Sequence, residues 1–244
     1  MSNRRFPVAT AVVFVLTAVA ELLQWTVKGW GEALQRDPDG LTWAHWWRLV
    51  TPLFTQMASP GVSGTAQFVS NMLFLAVIGV GAEWVLGPRW WLAGYVTGGI
   101  VGQITGYWLE PPGGGTSVAV LGVAALFAMA VVLGAQAQSV SLMFVGYFLA
   151  AITLVSLTNV IAAVIVIGAG AWLYQFARGR WPRRADLTLV GVSVLFAAVL
   201  IAAGDHHGWA FAAGMALAPL YRLRRVSGTA TASSLSGAGR PGPG

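Results

Sequence analysis

Ser117 and His207 are the residues of this chain best suited to covalent chemistry. Ser117 follows the run Gly113-Gly114-Gly115-Thr116 and opens an apolar stretch; His207 opens another. A hydroxyl beside an imidazole makes a nucleophile and its general base. Polar groups placed where an apolar helix meets water point to hydrolysis of something that is itself in the membrane. Serine is also a favoured helix N-cap, so Ser117 alone carries little. Its functional reading needs a base within reach and donors for an oxyanion, some of which a helix's unpaired first-turn N–H groups can supply.

The spacing around these two residues adds to the case. His207, Ala210 and Gly214 fall at i, i+3 and i+7, a single face of small residues. Small residues let membrane helices approach closely, so His207 is expected to face the Ser117 helix, with His206 turned about 100° away. Gln67 and Asn71 lie one turn apart and are candidate oxyanion donors, though buried amides in membranes also simply join helices. Glu83, further along the same stretch, is a costly acid at that depth and is expected to pair with an arginine or cap a neighbouring loop. Asp205 precedes His207 by two positions, before the helix starts, and the spacing gives no ground for its reaching the ring. The sequence therefore predicts a dyad. No cofactor is implied. No metal site is expected from three histidines, two of them adjacent, with no His-Glu pair at helical spacing.

The elements that must position these residues are membrane helices. Apolar residues make up 57% of the 244 residues and charged ones only 9%, against about 25% in soluble domains. With no cysteine there is no disulfide framework. Apolar stretches recur at 7–26, 67–86, 90–109, 117–137, 140–157, 159–177, 187–203 and 206–223, which predicts about eight crossings. The stretch from Val140 to Ala177 is too long for one crossing, and Thr158-Asn159 is its turn-like point. Ala18-Val19-Ala20 resembles a signal cleavage site, but the apolar stretch runs on to Trp25, which favours a retained helix.

Residues 27–66 mix charges with Trp30, Trp43, Trp46 and Trp47 and read as an interfacial outer loop. Residues 1–225 form the expected transmembrane domain, and 226–244, rich in Ser, Thr, Gly and Pro, a disordered cytoplasmic tail. With the N-terminus inside, Arg4, Arg5, Arg89, Arg178, Arg180, Arg183, Arg184, Arg222, Arg224 and Arg225 fall at inner ends, and only Lys28, Arg36 and Arg48 outside. This obeys the positive-inside rule and puts Ser117 and His207 together at the outer side. The net charge of +6 is thus topological, and no nucleic-acid partner is implied. One lysine against thirteen arginines suggests a GC-rich bacterial source and hence a plasma membrane.

Together these residues resemble the rhomboid family of intramembrane serine proteases, from Trp46 to Leu223. Trp47-Arg48, followed by Thr51 and Phe54, is similar to the family's first outer loop. Asn71-Met72-Leu73-Phe74-Leu75 with Gly79, Glu83 and Gly87 resembles its second helix. Gly115-Thr116-Ser117 with Ala119 and Gly122 resembles the nucleophile segment, and His207 with Ala210 and Gly214 the histidine helix. The resemblance implies an all-α polytopic bundle with a six-helix core, here carrying an extra hairpin near 140–177. It also implies Ser117 as nucleophile, His207 as base, Asn71 and the Ser117 N–H as oxyanion donors, and transmembrane protein substrates met within the lipid bilayer.

The chain departs from the family at three places. Val118 replaces a glycine, and its β-branch is expected to crowd the oxyanion pocket. Gln67 replaces a histidine but can still donate a hydrogen bond, and Gln56 stands near the place of another histidine. These changes define the competing reading, an inactive rhomboid-like protein that binds transmembrane helices. A small-solute transporter fits less well: there is no internal repeat, and the polar residues lie at one end of the helices instead of the middle.

Overall fold

The computed structural model describes residues 5–37, 39, 42–58, 62–157 and 160–224. The turn expected at Thr158-Asn159, Arg4, Arg225 and the tail 226–244 lie outside the described residues. The chain forms an all-α bundle: α1 Val8–Thr26, α2 Trp30–Leu34, α3 Gly64–Leu86, α4 Pro88–Leu109, α5 Ser117–Val132, α6 Ser139–Leu157, α7 Val160–Arg180, α8 Pro182–Ala202 and α9 His206–Ala216. Helical backbone resumes at 218–224 after a turn at Leu217. Eight of these elements match the eight expected apolar stretches. The long segment after α5 divides into α6 and α7, as its length required.

Two boundaries differ from expectation for identifiable reasons. α5 ends at Val132, not 137, because Gly134 adopts φ +95°. The Gly134 N–H then donates to Val131 O and the Ala135 N–H to Ala130 O, closing the helix with a Schellman turn. α8 begins at Pro182, not 187, with proline in its first turn, where the missing N–H costs nothing.

α5 sits at the centre of the bundle. It is apolar all round, and only Met129 and Val132 among its residues are not buried. At 16 residues it covers about 24 Å, short of a hydrocarbon core of about 30 Å. α1, α3 and α8 are each long and apolar enough to cross a membrane by themselves. Outward-facing positions carry large apolar side chains, such as Val15 and Leu22 on α1, Ile165 and Leu173 on α7, and Leu195 on α8. A surface of this kind suits lipid and not water.

Glycines bring α4, α5 and α9 together. A methyl group on Gly122 would meet Gly94 O and the Gly98 backbone of α4, and one on Gly214 would meet Gly122 O. Ala210, fully buried on the same face of α9, lies beside Gly102 of α4. The small-residue face predicted for His207, Ala210 and Gly214 therefore packs as its spacing implied.

Among the described residues Glu83 pairs with no arginine. Its two carboxylate oxygens accept the Ala9 N–H at 2.9 Å, the Thr10 N–H at 2.8 Å and the Thr10 hydroxyl at 2.8 Å. It caps the start of α1, where helix N–H groups lack partners and negative charge is favoured. Trp84 Nε1 donates to Arg5 O, Arg183 donates to Val132 O, and Tyr221 Oη donates to Val85 O. The arginine-bearing turns thus gather at the end of the bundle where α3 and α5 finish.

Gly122→Val is expected to destabilise the protein by roughly 3 kcal/mol, because the new side chain meets backbone that cannot move aside. Thermal unfolding in detergent against wild type measures this.

Candidate active site

Helix ends and loops converge at the opposite end. α3, α5 and α9 begin here, and α4 and α8 finish here. The Ser117 Oγ lies 2.9 Å from the His207 Nε2. Thr116, not Ser117, occupies the N-cap position of α5, so the Ser117 hydroxyl is not spent on capping. Thr116 is fully buried and shares a 2.9 Å hydrogen bond with Tyr95 Oη of α4. The preceding glycines are strapped on both sides: Gly113 and Arg36 exchange backbone hydrogen bonds, and the Gly115 N–H donates to Pro52 O. At Gly114 a side chain would strike Thr55 Oγ1 and Pro52 O. Close approach of backbone, not an unusual dihedral angle, is what demands glycine here.

Gly115 marks the expected oxyanion pocket. A methyl group there would lie 2.9 Å from Gln67 Nε2, 3.3 Å from Ser117 Oγ and 3.7 Å from Asn71 Nδ2. Both amides and the hydroxyl therefore surround one small volume. Asn71 Nδ2 spends one hydrogen on Gln56 Oε1 at 2.6 Å and keeps a second. Gln67 Nε2 makes a long 3.3 Å bond to Gly114 O. Gln56, fully buried, was legible in the sequence only as a replaced histidine; its place is to hold Asn71.

Val118 does not crowd this pocket. Its β-carbon and a γ-methyl face α4, in the space that Gly102 leaves by having no side chain. Because successive helix positions diverge by about 100°, the residue after Ser117 points at a different neighbour.

Asp205 does reach the His207 ring, a contact for which the spacing gave no ground. The Asp205 Oδ1 lies 2.7 Å from the His207 Nδ1 and accepts the His207 backbone N–H at 2.8 Å. Asp205 is the N-cap of α9, and an N-cap side chain bonds the N–H two or three residues on. That rule already put its carboxylate at His207, and from there the ring is within reach. Burial raises the Asp205 carboxyl, but the charge and hydrogen bonds of His207, with the charge of His206, outweigh it and hold it well below the usual range.

His206, turned off the α5-facing side as expected, places Nδ1 3.3 Å from Glu110 Oε1. Asp205, His206 and His207 offer ligand atoms within 4.8 Å of one another, as a metal would require. Two of the three are already committed to the chain of contacts running to Ser117.

A cleft of about 570 Å³ opens over these groups, reaching Arg36, Gln103, Glu110, Ser117 and His207, with Val155 of α6 on its wall. Arg36, almost fully buried, donates to Pro111 O at 3.0 Å and Gln103 Oε1 at 3.4 Å. A cleft of about 790 Å³ at the other end, beside Arg5 and Glu83, holds no paired nucleophile. Trp47 and Arg48 lie in a 3₁₀ segment, Trp43–Leu49, outside the cleft. Arg48 forms a 2.9 Å ion pair with Asp37 and, through its carbonyl, accepts Tyr107 Oη at 3.2 Å. These residues shape the segment between α1 and α3 and do not line the cleft. Trp43, Trp46 and Trp108 stand exposed around it, as side chains at a membrane interface do.

Gly115→Ala is expected to slow acylation of Ser117 by a fluorophosphonate on the order of 10²-fold, since it displaces the amides and hydroxyl from their shared volume. Labelling rates, with thermal unfolding as the control for fold, measure this.

The Rhomboid domain family matches residues 44–177, more than half of the chain. No curated protein and no solved structure matches it significantly. The matched span contains Trp47, Arg48, Gln67, Asn71, Glu83, Gly115, Ser117 and Gly122 but ends before α8 and α9, so His207 joins the site by geometry alone. On that match, and with an all-α membrane bundle of this order, the chain belongs to the rhomboid family.

Proposed function

We propose that this protein is an active intramembrane serine protease that cleaves transmembrane protein substrates. The observation that carries the reading is the 2.9 Å contact between Ser117 Oγ and His207 Nε2. Both residues are held by helix starts and neither is consumed in capping by its side chain.

In the first step Ser117 Oγ attacks the scissile carbonyl carbon, and its proton passes to His207 Nε2. The carbonyl oxygen becomes an oxyanion in the volume beside Gly115. The Ser117 N–H, free of an intrahelical acceptor, and the Asn71 and Gln67 amides stabilise it there. Collapse breaks the C–N bond, and His207 returns the proton to the leaving amine. Water entering through the cleft then repeats the sequence on the acyl-serine and releases the acid. A substrate helix has its backbone N–H and C=O groups paired, so it must unwind locally to present a carbonyl to Ser117.

Residues 1–225 form the transmembrane domain in this reading, with the active site toward the outer face of a bacterial plasma membrane and the N-terminus in the cytoplasm. The arginine-rich turns at the far end of the bundle support that orientation. The inactive helix-binding alternative draws on Val118, Gln67 and Gln56, and of these the packing of Val118 against Gly102 weighs for the protease.

Purified protein in liposomes should label with a fluorophosphonate and cleave a transmembrane reporter. Ser117→Ala and His207→Ala should each lower kcat by at least about 10³-fold, and Asn71→Ala by about 10²-fold. A folded wild-type chain that neither labels nor cleaves would establish the binding protein instead.

A further inference from the structure

We propose that Asp205 is a positioning residue that completes a Ser117–His207–Asp205 relay, so that this protein works with three groups where its sequence resemblance implies two. The inference rests on the protease reading above and adds a residue to it.

One carboxylate oxygen holds His207 at two points. Asp205 Oδ1 accepts the backbone N–H at 2.8 Å and faces the ring Nδ1 at 2.7 Å, while the opposite ring nitrogen meets Ser117 Oγ at 2.9 Å. Two bonds from one atom fix both the start of α9 and the plane of the imidazole. Asp205 itself has little freedom. Gly204, at φ +76°, ends α8 in a Schellman turn: its N–H donates to Ile201 O and the Asp205 N–H donates to Leu200 O. Just beyond, Gly208 of α9 lies against Ala197 O and the Ile201 N of α8, too close for any side chain. The carboxylate is thus clamped between the end of one helix and the start of the next.

This geometry decides the tautomer. An ionised carboxylate can only accept, so a neutral His207 carries its proton on Nδ1 and turns the Nε2 lone pair to the Ser117 hydroxyl. When that proton moves to Nε2, the ring becomes a cation beside a fixed anion, and Asp205 stabilises it without taking a proton. The charged groups around His207 are few. On its own element there are Asp205 and His206. From the loop after α4 there is Glu110, paired with His206, and from the outer loop Arg36, which feels the Glu110 charge. Ser117 is the partner from α5. Asp205 is the anion in direct contact with the ring.

The alternative is that Asp205 merely caps α9. Asparagine and serine cap helices about as well as aspartate, but neither offers a charge to the ring. Asp205→Asn and Asp205→Ser should therefore keep the unfolding temperature and KM of wild type while kcat falls on the order of 10²- to 10⁴-fold. In a Ser117→Ala background, the His207 Nδ1–H held by the carboxylate should give a low-field proton resonance, and that resonance should move upfield or vanish when Asp205→Asn is added. Wild-type kcat in both variants, with the resonance unmoved, would overturn the proposal and leave Asp205 a helix cap. A wild-type chain that never labels would overturn the protease reading. The resonance then still separates the two failures: one that depends on Asp205 keeps the Asp205 pairing, and one that does not ends it.

Discussion

Lipid tails are as apolar as leucine, so the hydrophobic effect does not press membrane helices together. Close packing must do so. In this protein that constraint is met where α4, α5 and α9 cross with no side chain between them, at Gly98, Gly122 and Gly214. The distance between Ser117 and His207 follows from it. Each is the first or second residue of a helix that makes this crossing further down. Widen the crossing by one methyl group and the two helix starts part. The chemistry of the site is therefore held by residues that have no chemistry of their own.

The same apolar surroundings make every buried polar group answerable to a partner. Glu83 satisfies the N–H groups at the start of α1, Thr116 pairs with Tyr95, Trp91 donates to Gly79 O, and Asn71 pairs with Gln56. Most of these bonds join different elements, so each polar side chain also sets a register between helices. Arg36 is the clearest case. Its backbone pairs with Gly113 while its guanidinium reaches Gln103 and Pro111, which ties the segment between α1 and α3 to the glycine run in front of Ser117. That segment is thereby part of the site's frame, although Trp47 and Arg48 remain outside the cleft.

α6 and α7 extend the bundle between the serine and histidine helices. α6 packs on α3 through the stacked pair Phe74 and Phe148, whose ring centroids lie 4.1 Å apart, and lends Val155 to the cleft wall. α7 lies outermost, its apolar side chains exposed. Asp186 of α8 accepts from Tyr174 and from Arg178 of α7, fastening α7 to α8 at the arginine-rich end. α8 and α9 meet at a short junction. That junction uses only Ala203, Gly204 and Asp205 to end one helix and begin the next.

Composition and the recurrence of apolar stretches determined the all-α membrane class, the number of long helices and the end at which arginines collect, because these depend on local hydropathy and charge alone. The periodicity of His207, Ala210 and Gly214 determined which face of α9 meets α5, because helix geometry converts spacing into direction. Asp205 was legible too, as an N-cap one position before α9, had the reach of a cap's side chain been followed to the ring as well as to the backbone. Other outcomes were decided by the tertiary structure. Which way Val118 points matters only because Gly102, on another helix, leaves room for it. That Glu83 caps α1, and that Gln56 holds Asn71, are contacts between residues far apart in the chain. No local pattern encodes such pairs, since each partner's role is set by where a different helix happens to end.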